Sequence, residues 1–162
     1  MSTRSRIGVI RTQHHPMDEE RYGHPAEWNV QVESIYCHFD GYPEGVGAIL
    51  DEHYADPAKL DALLALGDLS QLGAELGEPH NFDTALDDTR SGAIPETWTL
   101  AYRRDRGEDN VESVTHPYGD WPDYGQEFDY LLTATGWVYR ASAYGKPSGD
   151  PWHILEREKV TA

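Results

Sequence analysis

Three guanidinium side chains fall within four residues at Arg103, Arg104 and Arg106, with Asp105 among them and Glu108 just beyond. The chain has only 13 lysines and arginines, so this is a marked concentration of cations. A planar guanidinium fork meets a carboxylate or phosphate through two parallel hydrogen bonds. The group therefore suits a nucleotide-like or other anionic ligand, and Arg4 and Arg6 can join it if the first strand lies nearby. The same residues can also close on themselves, with Asp105 and Glu108 as ion-pair partners of the arginines.

A second set is His38, Asp40 and Glu44, with Tyr42 between them. A histidine titrates near neutral pH, so His38 with Asp40 has the makings of a general acid and base for a small hydrolase or transferase. Asp40, Tyr42 and His38 are also ligand-binding candidates beside the arginines. His38 and Asp40 with His53 offer metal-ligand atom types, but at no diagnostic spacing, and no metal or cofactor is expected. Gly41, Gly45 and Gly47 suggest a phosphate-cradling loop, yet the run matches neither a dinucleotide fingerprint nor a P-loop and lacks a following lysine. The structural alternatives are tight turning and close helix–sheet packing for these glycines, a satisfied core histidine for His38 and a turn cap for Asp40.

A third set is aromatic and acidic. Tyr118, Trp121, Tyr124 and Phe128 interleave with Asp120, Asp123 and Glu127. Aromatic anchors with an acidic rim fit a basic protein partner, which makes Tyr118, Trp121, Asp123 and Tyr124 partner-binding candidates. Rings packed back onto a sheet are the structural alternative.

The elements that must position these groups follow from periodicity. Alternation predicts a first strand over residues 5–11, a loop excursion over 12–28 and a second strand over 29–39, apolar on both faces near its end. Val46, Ile49, Leu50, His53 and Tyr54 fall at helical spacing. Asp56 followed by Pro57 opens a further helix that Gly67 ends, and residues 68–73 read as one more helical turn. Loops are expected over 74–96 and 109–126, a third strand over 97–102, a hairpin over 127–144 and a sparsely apolar tail over 151–162. The expectation is one α+β domain over 1–162, with a mostly antiparallel sheet of about five strands and two short helices on one face.

Composition narrows the classes. The 162 residues are 38% hydrophobic, but 11% are aromatic, including 5 Trp and 10 Tyr, enough to build a core. The formal charge of −16 disfavours direct binding to nucleic acid or an anionic membrane, because both depend on neutralising phosphate with Lys and Arg. The single cysteine, Cys37, sits in an apolar strand and forms no internal disulfide framework. The first residues contain no apolar leader run and no segment reaches membrane-spanning length, so a cytosolic protein is expected.

Several segments together carry a resemblance: the Thr3–Ile7 run, the Ser34–Gly47 run, the run from Leu66 to Gly73 and that from Ala101 to Glu108. They resemble an uncharacterised family of small bacteriophage and mobile-element proteins. The resemblance implies an accessory protein in the cytoplasm of a bacterial host. Taken with the acidic surface, it makes non-enzymatic binding of a host protein, for takeover or counter-defence, the expected role.

Overall fold

The computed structural model describes residues 2–12, 30–143, 146–147 and 152–155. The excursion expected at 12–28 lies, beyond residue 12, outside the described residues, as does most of the 151–162 tail. Strands β1 (Ser5–Thr12) and β2 (Gln31–Cys37) pair antiparallel, with Ile7 opposite Ile35. Strand β6 (Phe128–Thr133) lies parallel to β1 on its other side and sets Tyr130 beside Ile7. The β6–β7 hairpin (β7, Gly136–Ala143) extends that side of the sheet. On the other side β3 (Leu69–Gln71) runs parallel to β2, and β4 (Leu100–Ala101) antiparallel to β3. β5 (Val114–Pro117) pairs with the first half of β2, while β8 (Lys146–Pro147) and β9 (His153–Ile154) pair with β7.

Among the described residues the fold is α+β with a mostly antiparallel sheet, and that sheet has nine strands, not about five. Four of the nine are only two or three residues long, too short for apolar alternation to register. Residues 69–71 form a strand where the cap-to-glycine pattern suggests a helical turn. Leu69 is wholly buried between Cys37 and Ala101, and the Leu69 and Ser70 carbonyls accept the His38 and Phe39 N–H groups at 3.0 Å each. Tertiary pairing outweighs local propensity there. The strand expected over 97–102 is reduced to β4, because the Ala101 N–H turns to the Asp105 carboxylate at 2.8 Å and the chain coils into a short helix from Tyr102. The loops expected at 74–96 and 109–126 contain a helix and β5 respectively.

The helices follow local chemistry. A π-helical turn at Pro43–Gly47 leads into α1 (Ala48–His53). Helix α2 (Pro57–Ala65) starts on Asp56, whose carboxylate accepts the Ala58 N–H at 3.1 Å. Helices α3 (Ala85–Ser91) and α4 (Tyr102–Arg106) each end on a left-handed glycine, Gly92 and Gly107. Leu50 of α1 and Leu60, Leu63 and Leu64 of α2 pack on Ile7, Ile35, Cys37, Tyr130 and Leu132, which makes this face of the sheet the main core. The opposite face carries a smaller apolar cluster of Val32, Trp121 and Leu131. No helix among the described residues is long and apolar enough to cross a membrane.

Cys37 is fully buried in the main core, and burial pushes its thiol up to about 12. Native protein at pH 8 is therefore expected to leave Ellman's reagent unreacted over minutes, with one thiol appearing in guanidinium chloride. Rapid labelling of the native chain would contradict this packing.

Candidate functional site

At the end of β2 the chain passes through Asp40, which takes a left-handed φ of 58°. Three contacts hold this turn. The Gly41 N–H donates to the Thr3 carbonyl at 2.8 Å, the Val46 N–H donates to the Asp40 carbonyl at 2.8 Å, and the Tyr130 hydroxyl donates to the Gly41 carbonyl at 2.6 Å. Gly45 lacks a side chain where one is impossible, since a Cβ there would lie 2.4 Å from the Asp40 carbonyl oxygen. The turn thus presents Phe39, Asp40 and Tyr42 on one wall of an open cleft of about 810 Å³.

The facing wall is the segment between β3 and β4, including α3, with Phe82, Asp83, Leu86, Glu96 and Trp98 lining the cleft. A buried ion pair fastens this wall. The Asp105 carboxylate, with its side chain wholly buried, accepts the N–H groups of His80 and Ala101 and the Arg104 guanidinium at 2.8–3.1 Å. Arg104 also donates to the Leu76 and Thr99 carbonyls at 2.8 and 2.7 Å. The Tyr54 hydroxyl reaches the Gly73 carbonyl at 2.7 Å, and Lys59 Nζ reaches the Ala74 carbonyl at 2.7 Å.

The arginine group therefore divides. Arg104 is committed to the internal knot. Arg106 lies over the rings of Phe82 and Tyr102, 4.3 and 5.2 Å from their centroids, and pairs with Glu108 at 2.8 Å. Arg103 is exposed. None of the three lines the cleft. His38 and Asp40 are also separated in role: the His38 ring bonds the Tyr36 hydroxyl at 2.7 Å and packs edge-on to Phe39, while Asp40 lies on the cleft wall. Burial, with Arg4 nearby, lowers the His38 pKa. No metal-ligand cluster occurs among the described residues.

The aromatic–acidic segment folds over the second face of the sheet. Trp121 is buried against His116 with centroids 5.0 Å apart, Tyr118 lies by Trp152, and Tyr124, half exposed, lies 4.9 Å from the Arg6 guanidinium. Asp123 is exposed and accepts the Gly125 N–H at 3.0 Å. Beneath this cover is a polar set of which only Arg6 stands out in the sequence, and Arg6 turns to Ser34 and not to the arginines of α4. Arg6 donates through Nε and Nη2 to Ser34 Oγ at 3.0 and 2.9 Å. His116 Nε2 is 2.8 Å from the same hydroxyl, and its Nδ1 is 2.9 Å from the Pro117 carbonyl. A carbonyl only accepts, so Nδ1 carries the proton and the Ser34 hydroxyl donates to Nε2. Arg140 pairs with Asp129 at 3.2 Å, and Gln126 donates to the same carboxyl. Burial raises the Asp129 pKa, opposed by Arg140 and Gln126, and burial lowers that of His116. Alternating polar residues normally signal a solvated strand face, and only the distant 118–126 cover makes this face interior.

No family model, curated protein or solved structure matches this chain.

Removing Asp105 leaves Arg104 buried without its partner. Asp105→Ala is expected to cost about 3–5 kcal/mol in urea unfolding. A loss below 1 kcal/mol would show that the knot does not hold the cleft wall. For His116, the unfolded ring takes a proton near pH 6.5, whereas the native ring resists it. Its contribution to stability is therefore complete above that pH and is lost as the pH falls towards the native value. The melting temperature is expected to drop from pH 7 to pH 5, and His116→Gln, which keeps an acceptor for Ser34, is expected to flatten that slope. An unchanged slope would remove His116 from the account.

Proposed function

We propose that this is a non-enzymatic binding protein whose 810 Å³ cleft takes a basic, apolar-flanked segment of a partner protein. The observation that carries this reading is the charge of the lining. Asp40, Asp83 and Glu96 are its formally charged members, and no lysine or arginine stands among them. Phe39, Tyr42 and Leu86, three of the six large exposed hydrophobic residues among those described, line the same cleft. Exposed apolar surface rimmed by one sign of charge is the pattern of a docking site. The net charge of −16 draws a basic partner from a distance and repels nucleic acid.

The resemblance to bacteriophage and mobile-element proteins supports a partner among host bacterial proteins, with host takeover or counter-defence as the biological role. An arginine-lined pocket for a nucleotide-like ligand draws less support, because Arg104 is spent internally and Arg106 is paired with Glu108. A His38–Asp40 catalytic pair draws little, because His38 is hydrogen-bonded to Tyr36.

The test is capture of a bacterial host protein by tagged wild-type chain, repeated with the triple variant Asp40→Asn, Asp83→Asn, Glu96→Gln. At roughly 0.5 kcal/mol per exposed ion pair, the three changes together are expected to weaken binding about tenfold, with a similar loss on raising salt. A partner held equally by the folded triple variant would sink the proposal.

A further inference from the structure

On the sheet face opposite α1 and α2, register sets a polar row across four adjacent strands. Tyr36 lies opposite Arg6, Arg6 beside Asp129, and Asp129 opposite Arg140. Arg6 is 0% exposed, Arg140 7%, and Trp121 above them 3%. Each of the three has a buried nitrogen without a hydrogen-bond partner: Arg6 Nη1, Arg140 Nη2 and Trp121 Nε1. Arg6 uses Nε and Nη2 on Ser34, so Nη1 lies on the guanidinium edge turned away from Ser34. Arg140 gives Nε to Asp129, and Nη2 shares that edge of its fork. Nearby acceptors are already engaged: Asp129 by Arg140 and Gln126, Asp68 by the Tyr36 N–H at 2.9 Å, and His116 Nε2 by Ser34. The row is short of acceptors, and two of its three orphan donors are cationic. Buried donors in native proteins are nearly always matched.

Beside this row lies a second, apolar cleft of about 430 Å³, lined by Ile10, Leu131, Val138, Tyr118 and Trp152. Leu131 and Val138 form the next pair on the same face, two residues along from Asp129 and Arg140. Trp152 belongs to both places. It forms a cleft wall, its ring lies 4.4 Å from the Arg140 guanidinium, and it packs against Trp121 with centroids 5.7 Å apart. Gly8 seats the Trp121 ring, because a Cβ there would come within 3.1 Å of it.

We infer that the apolar cleft and the polar row together form one site for a small amphiphilic monocarboxylate. The apolar body occupies the cleft. Arg140, Trp121 and Arg6 do not themselves line the cleft, so the Trp152 ring stacked on Arg140 has to swing aside before the carboxylate accepts from Arg140 Nη2 and Trp121 Nε1, with Arg6 Nη1 behind them. A carboxylate supplies the missing acceptors from two oxygens, and charge-assisted bonds to guanidinium are among the stronger hydrogen bonds. This site is separate from the acidic cleft and does not depend on the reading given to it.

The test compares octanoate with 1-octanol by titration calorimetry on the wild-type chain. Octanoate is expected to bind at least tenfold more tightly, the scale of a hydrogen bond to a charged group. It is also expected to move the indole N–H resonance of Trp121, identified with Trp121→Phe, while octanol leaves it in place. The paired variant Asp129→Asn, Arg140→Gln removes one of the cationic donors together with its counter-charge and is expected to narrow the preference for octanoate severalfold. Equal binding of the two probes by wild type, no binding of either, or an unmoved Trp121 resonance would each overturn the inference. The spectroscopic arm needs no charge-row variant, so it decides the matter even if the paired substitution does not fold. Octanoate binding retained by the Asp40, Asp83, Glu96 triple variant separates this site from the other cleft.

Discussion

A guanidinium buried in a central strand sets the terms for the second face of this fold. Arg6 lies in β1, flanked by β2 and β6, and none of it reaches solvent. An ion removed from water is tolerated only when hydrogen bonds and opposite charge replace the lost solvation. Ser34 meets this need from β2, and its hydroxyl in turn orients His116 from β5. Tyr124 covers the guanidinium, and Asp129 and Asp68 bring negative charge towards it. Residues contributed by β2, β5, β6, the 118–126 segment and the turn before β3 therefore converge on one side chain of β1. Burial lowers the Arg6 pKa, and an arginine still keeps its proton at any physiological pH.

The two faces of the sheet divide the work. The face under α1 and α2 is conventional packing, with Ile7, Ile35, Tyr130 and the leucines of α2 excluding water. Its edge at β3 and β4 opens into the acidic cleft, whose outer wall is held by the Arg104–Asp105 knot rather than by a large apolar contact. The opposite face buries charge and is closed by rings from residues 118–124 and from Trp152. One face thus presents acceptors and exposed rings to the outside, while the other holds unmatched donors inside. The two ligands proposed, a basic polypeptide segment and a small carboxylate, complement these opposite surfaces, so the two proposed sites do not compete for one ligand.

Among the described residues the same ring–guanidinium pairing recurs in three places, at Arg6 with Tyr124, Arg106 with Phe82 and Tyr102, and Arg140 with Trp121 and Trp152. A flat cation with a weakly hydrated face stacks on an aromatic ring at lower desolvation cost than an ammonium does. Ten arginines against three lysines and an aromatic fraction of 11% make this contact available throughout the chain.

What the amino-acid sequence determines alone is what short-range physics can encode. Alternation in residues 5–11 and 31–37 marks the central strands, the Asp56–Pro57 pair marks the start of α2, and the turn residues at 134–136 mark the β6–β7 hairpin. Burial of Cys37 also follows from its apolar neighbours. The remainder depends on partners distant in the chain. Residues 69–71 extend because Cys37 and Ala101 flank them, and β5 exists because β2 offers it a free edge. Asp105 could be read locally as a partner for its neighbouring arginines, yet its ties to His80 and its fastening of the cleft wall need the loop in place. Arg6, Ser34, Asp129 and Arg140 carry the pattern of a solvated strand face. Only the return of residues 118–126 and Trp152 across that face turns the pattern inside out, because whether a polar group meets water depends on what covers it, and nothing within its own strand encodes the cover.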